Sequence, residues 1–88
     1  MDSDFFNRKT LEVLMDSGSV LVLGFDEALI GYSEVGESIV SVYDQDIFIE
    51  ILSEDMPFAD ALEFFHLNFI SNNLGDKKPI FIRLDRNI

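Results

Sequence analysis

The chain has no cysteine and no tryptophan, and only six of its 88 residues are Lys or Arg. Without cysteine it has no disulfides, no thiolate nucleophile and no sulfur ligands for zinc. Apolar runs such as Val20–Leu23 are far shorter than the roughly 20 residues that span a bilayer. The acidic start also differs from the basic start of a signal peptide. These absences predict a soluble, cytoplasmic protein that does not bind membranes.

Basic residues are missing from the whole centre of the chain. From Thr10 to Asp76 there is no Lys or Arg, although this window holds all but three of the 17 acidic residues, and the net charge is −11. A protein that grips a phosphate backbone needs clustered cations. We therefore expect no direct binding of DNA or RNA.

Added salt should raise the melting temperature of this protein. The central carboxylates have no cation near them in sequence, so their repulsion opposes the compact state, and dissolved ions screen it. Thermal unfolding at neutral pH, with and without NaCl, measures the effect. A lower melting temperature in salt would mean that the acidic residues are paired inside the fold.

A hydrophobic share of 48 % with nine Phe predicts one folded domain over residues 1–88. A first helix follows the N-capping residues Asp2–Asp4 and ends at Ser17–Ser19. Val20–Leu23 is then either a buried strand or the end of a buried helix, which periodicity does not decide.

Two strands, Ala28–Val35 and Ser38–Tyr43, flank Gly36-Glu37, and this order predicts a hairpin. A last strand covers Ile80–Leu84, with Phe81 and Arg83 on one face and the three aliphatic residues on the other. The predicted sheet has three or four strands and is mostly antiparallel.

Asp44 is placed to N-cap a second helix, whose buried face carries Ile47, Phe48, Ile51 and Leu52. Pro57 suits the start of a third helix, which we predict from Phe58 to Leu74. The predicted fold class is therefore α+β, with three helices and the small sheet.

The third helix has two apolar stripes. One consists of Phe58, Ala61, Leu62, Phe65 and Phe69; the other, on nearly the opposite side, consists of Leu67, Ile70 and Leu74. A helix that is apolar on two sides is central in its domain or shared with a partner. Asn68 is unfavourable in mid-helix, so it either ties a neighbouring loop or faces a partner. We predict an interaction surface at Leu67, Asn68, Ile70 and Leu74.

The larger part of the sequence also carries a resemblance. The segments concerned are Gly24–Gly31, Val42–Asp46, Ile49–Leu52, Ala61–Asn68, Gly75 and Pro79–Phe81. Together they resemble a family of small phage and prophage proteins of unknown function, over about residues 24–81. The chain departs from that pattern at Pro57, where a Ser cap is expected, and at His66, where an acidic residue is expected. The resemblance implies a viral or mobile-element origin and no activity.

Residues with possible chemistry are few. His66 follows Glu63 by three positions, so the two could meet on one helix face, but no nucleophile motif accompanies them. Asp44 and Asp46 lack the remaining ligands of a calcium loop, and N-capping explains them better. We expect the cations Lys77, Lys78, Arg83 and Arg86 to be internal counter-ions. The sequence predicts no catalytic residue, no metal site and no cofactor.

Three alternative hypotheses about function follow from these observations. The first is a non-enzymatic protein–protein interaction module, which binds a protein partner or forms a homodimer. The alternative is an acidic mimic of nucleic acid, which inhibits a host DNA- or RNA-binding protein through complementary charge. The third, a small enzyme or ligand binder, would require a cleft that joins His66 to other polar groups.

Overall fold

A computed structural model of the chain describes residues 2–71 and 77–85. Within these residues, three helices and three strands form an α+β fold, which confirms the predicted class. The helices are α1 (Asp2–Ser17), α2 (Gln45–Leu52) and α3 (Phe58–Phe65), and the strands are β1 (Leu29–Val35), β2 (Ser38–Asp44) and β3 (Ile80–Ile82). A single 3₁₀ turn, Asp26–Ala28, precedes β1, and a π turn, His66–Ile70, continues α3.

The sheet has the order β1-β2-β3, with β2 in the centre. β1 and β2 form the predicted antiparallel hairpin, in which Val35 lies opposite Ser38. Gly36 has a φ of 62°, the left-handed region that a tight hairpin turn requires. β3 pairs with β2 in parallel, so the sheet is mixed. A parallel neighbour needs a long crossover, and the segment containing α2 and α3 supplies it.

Val20–Leu23 is neither of the two elements that the sequence allowed, because it follows an irregular path beside the sheet. Two side chains of β2 supply hydrogen bonds that a neighbouring strand would otherwise provide to its backbone. The Ser41 hydroxyl donates to the Val20 carbonyl at 2.7 Å, and the Val22 N–H donates to the Tyr43 hydroxyl at 2.9 Å. Because these buried hydroxyls satisfy backbone groups of Val20 and Val22, the apolar run does not need the hydrogen bonds of a strand or helix at these positions.

The core is centred on Phe48, whose side chain has no solvent exposure. Its ring stacks on Phe25 with centroids 3.9 Å apart and meets Phe69 and Phe81 edge-on at 5.0 Å. The face of β3 that carries Phe81 is therefore the face that is turned towards the core. Aromatic pairs in these geometries add to the stabilisation that burial provides.

The start of α2 is fixed as the sequence predicts. The Asp44 carboxylate accepts a hydrogen bond from the Ile47 N–H at 3.2 Å, which identifies Asp44 as the N-cap. Within α2, Phe48 and Leu52 are buried as expected. Ile49 is also buried, whereas Ile47 and Ile51 are only partly covered. The buried face of this helix is therefore turned by about one residue from the predicted stripe.

The third helix begins at Phe58 as predicted but loses α-helical geometry after Phe65. The Asn68 side-chain amide donates to the Phe64 carbonyl at 2.9 Å. An α-helix would pair that same carbonyl with the Asn68 N–H, so the side chain competes with the ladder. In the π turn, the Ser71 N–H reaches back five residues to the His66 carbonyl. The predicted helix end at Leu74 and Gly75 lies outside the described residues.

Candidate interaction surface

Three large apolar side chains are exposed on one side of α3 and its π turn. Phe64 is 41 % exposed, Leu67 62 % and Ile70 40 %. We call these three residues the outer strip. Leu67 and Ile70 were predicted from the second apolar stripe, whereas Leu74 lies outside the described residues. Phe64 was missed, although its position three residues before Leu67 would have placed it beside that side chain.

Asn68, the fourth predicted interaction residue, is exposed and follows Leu67 directly. Its amide bonds to the carbonyl of Phe64 in its own helix. The expectation that it ties a neighbouring loop is therefore wrong. Asp60 and Glu63, which precede Leu67 by seven and four residues, are exposed as well. The outer strip thus has carboxylates along its N-terminal half.

A groove of about 530 Å³ lies between α2 and α3, next to the outer strip on another side of α3. Ile49 of α2 and Leu62 of α3 form part of its apolar lining. Phe58, the first residue of α3, also lines the groove and remains 62 % exposed. The apolar stripe predicted for the third helix is therefore divided: Ala61 and Phe65 are fully buried in the core, whereas Phe58 and Leu62 reach the groove.

Polar side chains from three elements line the same groove. Asp46 and Glu50 come from successive turns of α2, His66 begins the π turn, and Arg83 follows β3. Because Ile82 of β3 lies opposite Asp44, the parallel pairing places Arg83 near the first turn of α2. There its Nε is 3.5 Å from an Asp46 carboxylate oxygen. Sequence reasoning did not predict this pair, since its members are far apart in the chain.

His66 contacts the Phe65 ring edge-on, with centroids 5.7 Å apart, and faces the groove. His66 and Glu63, which could meet on one helix face, both lie in the described part of the chain and form no ion pair with each other. Among residues 2–71 and 77–85, no three His, Asp or Glu side chains are grouped as a metal site would require. Side-chain amide, carboxylate, imidazole and guanidinium groups supply the polar chemistry of this groove.

The C-terminal cations have two different roles. Arg83 pairs with an acidic residue, as expected of a counter-ion. Lys77 and Lys78 instead donate to backbone carbonyls, those of Ser17 at the end of α1 and Ile70 at the end of the π turn. Helix C-termini carry partial negative charge, so ammonium groups are favourable there. Arg86, the fourth predicted counter-ion, lies outside the described residues.

Comparison with known proteins gives no relative: no protein-family model, curated protein or solved structure matches this chain. The resemblance to small phage proteins therefore stays a prediction. In the described part of the chain, no helix has both the length and the apolar character needed to cross a bilayer.

Proposed function

We propose that this chain is a non-enzymatic module, cytoplasmic and phage-derived, that binds another protein through the outer strip of α3. The observation that carries the proposal is the succession of Phe64, Leu67 and Ile70, each 40 % exposed or more on one helix. Aromatic and large aliphatic side chains that stay in water next to one another are typical of interaction sites.

Charge favours a basic partner over a second copy of the chain. Asp60 and Glu63 are exposed near Leu67, and the whole protein carries a net charge of −11. Two copies that meet through the outer strip would bring these carboxylates together. A homodimer should therefore become tighter in salt, whereas a complex with a basic partner should become weaker.

Leu67→Lys should reduce partner binding by about tenfold or more, because a central apolar contact is replaced by a solvated charge. Affinity capture from host lysate identifies a partner, and titration with that purified partner gives the affinity. Val35→Lys is the matched control, since Val35 is 49 % exposed on β1 and the change in charge is the same.

Equal losses in both variants, or unchanged binding by Leu67→Lys, would contradict the proposal. The molar mass by light scattering, at high protein concentration and at low and high salt, tests the alternative occupant. A dimer that gains mass with salt and is lost only in Leu67→Lys would identify a second copy as the partner.

Nucleic-acid mimicry is the second candidate, and one observation favours it. Asp46, Glu50 and Glu54 follow one another at four-residue spacing along α2 and the turn after it. This spacing places their carboxylates in a row. A mimic would compete with duplex DNA or RNA for a host protein, and its binding would not depend on Leu67. Competition by nucleic acid together with full binding by Leu67→Lys would therefore favour mimicry over the outer strip.

A further inference from the structure

We propose that the groove between α2 and α3 binds an arginine side chain presented by a polypeptide partner. This inference rests on the proposed function as a protein-binding module and adds the chemistry of the partner. An arginine has an apolar stem and a planar cation with five N–H donors. The groove offers surfaces that complement each part.

The apolar side of the groove suits the stem and the plane of the guanidinium. Ile49 and Leu62 line it, and its volume of about 530 Å³ is within the range of ligand sites. Phe58 lines the groove with an exposed ring. Guanidinium groups stack favourably on aromatic faces, so this ring is a docking surface for the cation.

The polar side of the groove favours a cation over an anion. Asp46 and Glu50 lie on successive turns of α2, and the charge of Arg83 is offset by Asp46 at 3.5 Å. Glu50 adds a further exposed carboxylate. An anionic ligand would approach two carboxylates, whereas a guanidinium would donate a charge-assisted hydrogen bond to the Glu50 carboxylate.

Hydrogen-bond capacity distinguishes arginine from neutral ligands of similar shape. The Glu50 carboxylate and the Gln45 amide oxygen are acceptors that line the groove. A guanidinium has only donors, so both acceptors suit it. Citrulline has nearly the same shape but no charge, and it isolates the electrostatic contribution.

The test is a titration of ¹⁵N-labelled protein, followed by amide chemical shifts, with a blocked glycine pentapeptide that carries one central arginine. We expect shifts at groove residues such as Glu50, Phe58 and His66, and weaker binding of the citrulline peptide. Glu50→Lys should lower the affinity for the arginine peptide about five- to tenfold, since an attraction is replaced by a repulsion. Glu34→Lys on β1 changes the net charge equally and should stay within about twofold.

Several results of these titrations would contradict an arginine site in the groove. Equal binding of the citrulline peptide, shifts located away from the groove, or equal losses in Glu50→Lys and Glu34→Lys would overturn the arginine site. Tighter binding of agmatine than of the peptide would identify a small free guanidine, and not a polypeptide side chain, as the ligand and would also overturn the proposal.

The Leu67→Lys variant separates this proposal from the proposed function. This variant should still bind the arginine peptide with unchanged affinity, while its affinity for the protein partner should fall. If Leu67→Lys keeps the partner, the outer strip is not the binding surface, but the groove still stands on the peptide titration. If Glu50→Lys keeps the peptide, the groove assignment fails and the outer strip is unaffected.

Discussion

Phe48→Ala is expected to remove most of the protein's stability. The Phe48 side chain is fully buried and contacts rings from the 3₁₀ region, the sheet, α3 and the π turn. Loss of a buried phenylalanine costs about 3–5 kcal/mol through lost transfer energy and the cavity that remains. Small domains have a total stability of about 5–15 kcal/mol, and a chain of this length lies towards the lower end.

Urea denaturation followed by circular dichroism measures this change. Phe58→Ala is the matched control, because the same atoms are removed from a side chain that is 62 % exposed. We expect the control to cost less than about 1 kcal/mol. Similar urea midpoints for the two variants would show that Phe48 is not the centre of the core.

Tyr43→Phe is expected to destabilise the protein by about 1–2 kcal/mol, because it leaves the Val22 N–H without its acceptor. The Tyr43 side chain is buried, and its hydroxyl accepts from that N–H at 2.9 Å. The substitution retains the ring contacts with Phe48 and Phe81. Amide hydrogen exchange at Val22 should accelerate more than exchange within β2. Unchanged protection at Val22 would show that the hydroxyl does not hold this segment against the sheet.

Tyr43 should also add a loss of stability at alkaline pH. Burial raises the pKa of the Tyr43 phenol above its ordinary value of 10.0; the hydrogen bond from Val22 lowers it, and the Asp26 carboxylate adds to the increase. Unfolded chains lose this proton from about pH 10 upward, while the folded state retains it. The stabilisation from Tyr43 is therefore complete below that pH and is lost as pH rises through the folded pKa.

The alkaline effect is measured by comparing urea midpoints at about pH 8 and about pH 10.5, on either side of the ordinary tyrosine pKa. Wild type should lose more stability over this interval than Tyr43→Phe, which has no phenol at this position. Equal losses would assign the alkaline transition to other groups.

Elements with local signals were predictable from the sequence. The hairpin followed from β-prone runs on both sides of Gly36-Glu37, and the start of α2 followed from Asp44 as a capping residue. Pro57 likewise indicated where α3 begins. In each case the interacting groups are within a few residues of one another, so the pattern along the chain contains the cause.

The candidate site was predictable only in part. Apolar spacing placed Leu67 and Ile70 on the outer strip, since helical periodicity alone separates the sides of a helix. A cleft at His66 was only named as what a ligand binder would require, and its other residues were not predictable, because Arg83 reaches Asp46 through the pairing of β3 with β2. A strand of three residues has no local feature that selects its neighbour or its direction.

The sequence by itself determined the acidic charge, the starts of α2 and α3, the hairpin and the apolar second side of α3. The first helix instead begins at Asp2 and includes the residues predicted to precede it as caps. Tertiary structure decided the path of Val20–Leu23, the parallel position of β3 and the inward face of Phe81. The physical reason is the range of the interactions. Ser41 and Tyr43 satisfy backbone groups 21 residues away, and such bonds exist only after the sheet has formed.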